Sequence, residues 1–472
     1  MRQKKPNILF FLIDDLGWRD LACTGSPFYK TPHLDRLAKQ GMTFTDAYAA
    51  CPVCSPTRAS LMTGKYPATV GITDWIDWGG HLHPLKGRLV DVPYLKNLPA
   101  SEHALARALQ AGGYATWHVG KWHLGGPGHF PQDHGFEVNV CGGTAGAPGC
   151  YFAPWPVEAL AHEKVPPGTY LTDYLTDRAI DLIRKRDGRP FFLNLWHYAV
   201  HTPIQAKRSA VRRSEKRATL MGLDKLKAIE EGEPFPTVNR RHLRVQRRRI
   251  QSDPVYAAMM ANLDWNIGRV LKTLEDEGLA DNTLVVFTSD NGGLATSEGS
   301  PTCNAPLAEG KGWMTDGGVR VPLLVRWPGR VGAGSRCGTP VTSPDFYPTL
   351  LEAAGVKPKP RQHRDGVSFM PLLNGADRLA RDAIFWHYPH YGNQGGTPGC
   401  SVRWGDYKLI EFFEDGRLEL YNLRADISEK RNLAKRKPEL AARLHARLRA
   451  WRKSVEAKIP KRNPEWPPKP PV

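Results

Sequence analysis

The segment Asn7-Ile-Leu-Phe-Phe-Leu-Ile-Asp14 has no polar residue between its ends. It is too short to span a membrane and too continuous for a strand with one wet face. It therefore reads as a strand buried on both faces, as in a parallel sheet. An apolar run that ends in polar residues recurs at Tyr114 to Val119, Pro190 to His197, Thr283 to Ser289 and Val321 to Trp327. Helical patterns lie between these runs, at Leu34 to Gln40, Ala104 to Ala111, Tyr170 to Arg186 and Tyr256 to Glu277. The alternation predicts an α/β domain, a large and mostly parallel sheet sandwiched by helices.

The character of the chain changes near Leu373-Asn-Gly-Ala376. Shorter strand candidates follow at Ala383 to Tyr388, Cys400 to Trp404, Tyr407 to Phe412 and Leu418 to Asn422, separated by tight turns such as Gly405-Asp406. A helical pattern runs from Pro438 to Val455, and residues from Ile459 on are rich in Pro and Lys. The expectation is a catalytic-sized domain over 1–375 and a small C-terminal subdomain over 376–472. The subdomain combines an antiparallel sheet with a helix and ends in an extended tail. A chain of 472 residues is long enough for both cores.

Two of the long runs end in acids. Asp14 and Asp15 close the first, and Asp290 and Asn291, followed by Gly292-Gly293, close the fourth. In an open α/β sheet ligands collect at the carboxyl edge of the strands. These ends would bring three carboxylates and an amide together, a cluster that repels itself unless a cation neutralises it. An all-oxygen set favours calcium, or magnesium, over zinc.

The segment Cys54-Ser55-Pro56-Thr57-Arg58, followed by Leu61-Met62-Thr63-Gly64, resembles the C-x-P-x-R and L-x-T-G signature of the type I sulfatases, with Thr57 at the position more often serine. The resemblance extends from Asn7 to about Asn422. It implies the alkaline-phosphatase-like fold, calcium bound by Asp14, Asp15, Asp290, Asn291 and the modified Cys54, and a formylglycine-generating maturation enzyme as a partner. In that family the cysteine is oxidised to formylglycine, whose hydrate is a geminal diol. One diol oxygen attacks sulfur and the other allows sulfate to be expelled, whereas a plain serine would leave a stable sulfate ester.

The remaining motifs are similar to other blocks of the family. Pro56 near a helix start would return Arg58 toward Cys54, where it would hold the diol and a metal ligand in place. Gly120-Lys121-Trp122-His123-Leu124-Gly125 supplies Lys121 for a sulfate oxygen and His123 as a proton acceptor. His201, before Thr202-Pro203, is expected to contact the ester and protonate the leaving oxygen, while His197 reads as a core histidine. Glu309-Gly310-Lys311-Gly312 supplies Lys311, a second sulfate contact, and Arg320 reads as structural. Aromatic and histidine-rich loops at Trp75 to His83 and Trp386 to Asn393 are candidate sugar contacts, with Trp78, His387 and His390 as the residues singled out. Family members with similar C-terminal segments often act on sulfated galactose or N-acetylgalactosamine, so the resemblance implies a sulfated carbohydrate as substrate.

The net charge of +18 suits an anionic partner. Much of the excess lies between Lys207 and Arg249, which reads as a solvated helical insertion, with polysaccharide binding as the sharper alternative. No nucleic-acid motif accompanies it. Eight cysteines are scattered without zinc-site spacing. Cys141 and Cys150 flank a Gly-rich loop and are candidates for a disulfide. The Cys51-x-x-Cys54 spacing offers a redox reading, which Pro56 and Arg58 argue against. Met1 to Pro6 is basic but lacks the apolar segment of a signal peptide, which leaves a cytoplasmic protein and a trimmed periplasmic or secreted one both open. Two rivals remain: a phosphatase or phosphodiesterase of the same superfamily, and a glycan-binding protein that has lost the chemistry.

Overall fold

The computed structural model describes residues 4–78, 87–161 and 163–466. Its strands are β1 (Asn7–Ile13), β2 (Met42–Tyr48), β3 (Ala115–Gly120), β4 (Val138–Val140), β5 (Phe191–His197), β6 (Ile229–Pro234), β7 (Arg244–Arg248), β8 (Thr283–Ser289), β9 (Arg320–Arg326), β10 (Ser335–Cys337), β11 (Val341–Thr342), β12 (Ala383–Tyr388), β13 (Gly399–Trp404), β14 (Tyr407–Phe412) and β15 (Leu418–Asn422). Nine of them form the main sheet in the order β10-β2-β9-β8-β1-β5-β3-β4, with β11 also paired to β2. All pairings are parallel except those of β9, which runs against both β8 and β2.

The sheet is buried on both faces because its strands are apolar at every position. Along β1, Leu9, Phe11 and Ile13 enter one core with the helices Pro32–Gln40, Leu171–Arg184 and Pro254–Asp276. Ile8, Phe10 and Leu12 enter the other, with the helices Cys54–Thr63, Leu105–Ala111 and Phe346–Ala353. This is the period-2 alternation of a strand, here with both faces dry. Each buried Leu, Ile or Phe contributes about 1.5–3 kcal/mol.

β12 to β15 form a separate antiparallel sheet. One face packs on the helix Pro438–Ser454 through Leu409, Leu420, Leu444 and Leu448. The other packs on the main body through Ile384, Trp386 and Ile410 against Tyr48 and Val53. Trp386 donates to the Ala49 carbonyl at 2.8 Å and meets the Tyr48 ring edge-on at 5.2 Å. Lys408, wholly buried at this seam, pairs with Asp316 at 2.8 Å and Glu429 at 3.0 Å. Arg320, read as structural, belongs here too, donating to the Thr45 carbonyl and pairing with Asp316 and Asp46.

Two expectations change. The basic stretch from Lys207 to Arg249 is helical only in its first part. The helix Arg208–Leu220 is followed by the hairpin of β6 and β7, in which Arg247 is buried between Glu233 and Glu309. Arg247 of β7 is drawn in by Glu233 of β6 and by Glu309, while most of the helix Arg208–Leu220 and of β6 stays exposed, so the segment is solvated on its outer side and paired on its inner one. Cys141 and Cys150 are both free thiols, as are the other cysteines. From Ile459 to Trp466 the tail is laid along 88–90, Val90 donating to the Lys461 carbonyl and Asn463 to that of Arg88, each at 2.8 Å. No helix among the described residues is long and apolar enough to cross a membrane.

Candidate active site

The carboxyl ends of β1, β3, β5 and β8 converge, and the site is built where they meet. Asp290 N–H donates to the Ile13 carbonyl at 3.2 Å, tying the end of β8 to the end of β1. Asp15 turns back in the left-handed region (φ 59°), and its N–H donates to Asp290 Oδ1 at 3.2 Å. Asn291 Nδ2 donates to Asp15 Oδ1 at 2.8 Å. Asp14 exchanges backbone hydrogen bonds with Ala199 and Val200, which draws the loop carrying His201 beside it. The three carboxylates are buried within about 1% exposure.

Three cations compensate them. Lys121 follows β3 directly, and its N–H continues the ladder onto the Trp196 carbonyl at 2.8 Å. The preceding Gly120 (φ 108°) has to be glycine, because a Cβ there would lie 1.9 Å from that same carbonyl. Lys121 Nζ meets Asp14 Oδ2 at 2.7 Å, and Lys311 Nζ meets Asp15 Oδ2 at 2.8 Å. Arg58 donates through Nε to Asp290 Oδ2 and through Nη1 to the Lys121 carbonyl, both at 2.9 Å. Its guanidinium lies 5.3 Å from the Trp196 ring.

Cys54 opens the helix Cys54–Thr63, every residue of which is buried. Pro56 falls in its first turn, as the sequence suggests, and Arg58 stands one turn on. No side chain caps this helix end, so its positive end and free N–H groups face the site. His123 Nδ1 lies 3.3 Å from Cys54 Sγ. His123 Nε2 lies 2.8 Å from the Ile76 carbonyl, which can only accept, so Nε2 carries the proton and Nδ1 presents a lone pair to Cys54. His201 Nδ1 is similarly committed to the Thr202 carbonyl at 2.8 Å. Its Nε2 faces Lys311 Nζ at 3.0 Å and Asp15 Oδ2 at 3.6 Å.

Electrostatics follow from burial and these neighbours. Burial, reinforced by Asp290 and Asp15, pushes the Asp14 carboxyl up to about 8 against the pull of Lys121 and Arg58. Burial also pushes Asp15 up, but Lys311, His201 and Lys121 outweigh it and hold that carboxyl below the usual range. Burial and the nearby Lys121 hold His123 well below neutrality, and burial with Lys311 brings His201 down to about 3, so both rings rest neutral. Burial raises the Cys54 thiol. A protonated, buried sulfur is a poor redox nucleophile, which weighs against the C-x-x-C alternative.

The donor set fits a hard cation. One ligand atom each of Asp14, Asp15 and His201 lie within 4.8 Å of one another. Asp14 Oδ1 and Asn291 Oδ1 are buried acceptors with no hydrogen-bond partner among the described residues. Oxygen atoms left bare in this way beside further carboxylate oxygens are what calcium or magnesium requires.

A cavity of about 490 Å³ opens over Cys54, His123, His201 and Lys311. Trp78 lines it and is 47% exposed. His387 and His390 do not line it. His387 is buried against the Lys458 carbonyl, and His390 is buried between Thr73 and Asp91. Both histidines are taken up in packing the C-terminal sheet and tail onto the main body, which their sequence neighbours do not reveal. His197 is wholly buried in the core, as the sequence reading has it, with burial drawing it down to about 3. Residues 79–83 of the Trp75 to His83 loop lie outside the described residues. The cavity wall also includes Thr144, Ala145, Glu298 and Gln394, which no sequence motif marks.

The chain is similar to known proteins over most of its length. The Sulfatase family model matches residues 6–356, and a model described as N-sulphoglucosamine sulphohydrolase, C-terminal, matches residues 310–454. A protein of Formosa agariphila described as a sulfatase is 33% identical over 95% of this chain and 89% of its own length. Human N-acetylgalactosamine-6-sulfatase is 33% identical over 81% of this chain and 68% of its own. The crystal structure of Ps i-CgsB in complex with k-i-k-neocarrahexaose is similar with a TM-score of 0.75 at 30% identity, covering 98% of this chain and 95% of that one.

Proposed function

The chain belongs to the sulfatase family and is a sulfuric ester hydrolase, and we propose that it removes sulfate from a sulfated carbohydrate of the galactose or N-acetylgalactosamine type. Cys54, as formylglycine, and a bound calcium ion would carry the chemistry. The observation that carries this reading is Cys54 Sγ, 3.3 Å from the lone pair of His123, at a buried helix N-terminus among Lys121, Arg58 and Lys311. The carbohydrate assignment is supported by the similarity to human N-acetylgalactosamine-6-sulfatase and to the neocarrahexaose complex.

Asp14, Asp15, Asp290 and Asn291 would hold the cation, together with the oxidised Cys54. Bound there, it would act as a Lewis acid on the ester and favour an oxyanion at the Cys54 position. The oxidised side chain supplies, as its hydrate, one oxygen to attack sulfur and a second whose deprotonation releases sulfate. The chain's own residues do the rest. His123 Nδ1 accepts a proton at the Cys54 position, its other nitrogen being fixed on Ile76. Lys121, Lys311 and the helix N-terminus hold the sulfate oxygens, and Arg58 fixes Asp290 and the helix in register. His201 offers only Nε2 to the leaving oxygen. An anionic ester beside that ring raises its proton affinity from the resting value, which suits it to act as the acid.

Release of sulfate from galactose and N-acetylgalactosamine monosulfates tests this reading. Exhaustive chelation is expected to lower turnover by roughly 10²-fold or more, with calcium restoring it. Turnover that survives chelation unchanged would remove the cation from the scheme.

A further inference from the structure

Among the described residues the cavity is cationic only at its floor. Apart from Lys311, its lining among the described residues contains no Lys or Arg, and its acidic side chains are Asp77 and Glu298. A wall of this kind is poorly suited to a substrate carrying a second anionic group, because recognition of one calls for a paired cation. It suits hydroxyl groups, which donate to a carboxylate.

Glu298 is held in place by an unusual backbone. Ser297, Glu298, Gly299 and Ser300 have φ of 55°, 47°, 85° and 42°, four successive residues in the left-handed region. Such a run persists only where the surroundings impose it. Here the β6–β7 hairpin does so. Arg248 N–H donates to the Ala295 carbonyl at 2.9 Å and Ser297 N–H to the Gln246 carbonyl at 2.8 Å, while the Arg248 guanidinium holds the Ser300 carbonyl. The turn leaves the Glu298 side chain exposed in the cavity wall. Gln394 Nε2 donates to Glu298 Oε2 at 2.9 Å, and Oε1 has no hydrogen bond among the described residues.

We propose that Glu298, braced by Gln394, is a specificity-determining residue. It accepts a hydrogen bond from a free hydroxyl of the sugar and excludes sugars that carry a second sulfate at that place. This rests on the reading of the site as a carbohydrate sulfatase. The basic hairpin thereby has a role in substrate selection, through the turn it holds.

The test compares kcat/KM on galactose and N-acetylgalactosamine monosulfates, each sulfated at one hydroxyl, with the matching disulfates, for the wild type and Glu298→Gln. The wild type is expected to favour its best monosulfate by roughly 10-fold or more. In the variant the monosulfate rate falls about 10-fold, mainly through KM, the disulfate rate rises, and the ratio moves toward one. A merely structural role would lower both rates in proportion, and an unchanged ratio overturns the proposal. A wild type that releases sulfate from none of these sugars overturns the carbohydrate reading itself, and the proposal with it.

Discussion

Cys54→Ala, produced alongside a formylglycine-generating enzyme, is expected to fold normally and to lose at least roughly 10⁴-fold in sulfate release. The side chain is buried at the first position of a helix whose other residues are also buried, and alanine fits there with the loss of one sulfur atom. Every group around it remains, but the atom proposed to attack sulfur is gone. Cys54→Ser makes a sharper case. A single hydroxyl, 3.3 Å from His123 by analogy with the sulfur, can accept the sulfuryl group but has no second oxygen from which to expel it. The serine variant should therefore stop after one turnover, with its intact mass heavier by one sulfuryl group. Continued turnover by either variant would show that Cys54 does not carry the reaction.

Lys121→Ala is expected to damage both catalysis and stability. Loss of one cationic contact to the reacting group typically removes about 3–4 kcal/mol of transition-state stabilisation, a fall of roughly 10²–10³-fold in kcat. The same change takes the nearer of two cations from Asp14, which is wholly buried beside Asp15 and Asp290, 2.7 Å from Lys121 Nζ and 3.7 Å from Arg58 Nη2. Losing that partner costs stability, by less than a fully charged buried pair would lose, because the Asp14 carboxyl, already pushed up to about 8, can take up a proton. A cation bound to Asp14 would offset much of that cost. Thermal denaturation of the variant should therefore shift upward with added calcium more than that of the wild type. A variant whose melting is indifferent to calcium would place the cation away from Asp14.

The parts of the fold that sequence reading captures share one physical property. β1, β3, β5 and β8 are continuous apolar runs, and only a strand dry on both faces demands such a run. The same strands end at Asp14, Asp15, Asp290 and Asn291, so the convergence of these four is legible with them, whereas Lys121 and His201 are singled out only by the family resemblance. β2 escapes that reading because Met-Thr-Phe-Thr-Asp-Ala-Tyr mixes polar residues into a strand near the sheet edge. The reversed direction of β9 is also hidden, since composition does not encode direction. The β6–β7 hairpin contains Gly232 and Pro234 and is dense in charge, so no alternation announces it. The cavity wall is the least legible part. Glu298 and Gln394 reach it through loops shaped by contacts distant in sequence, and His387 and His390 are drawn away from it by the tail and by Asp91.

The chemistry proposed for this chain depends on one covalent change, and peptide mass spectrometry reads it. The protein is co-expressed with a formylglycine-generating enzyme, digested, and the peptide containing Cys54 is weighed. The expected peptide is lighter than the thiol form by the difference between a thiol and an aldehyde, and its abundance should track the rate of sulfate release across preparations. A peptide that keeps its thiol under a working maturation enzyme, in a preparation that still releases sulfate, would contradict the formylglycine mechanism.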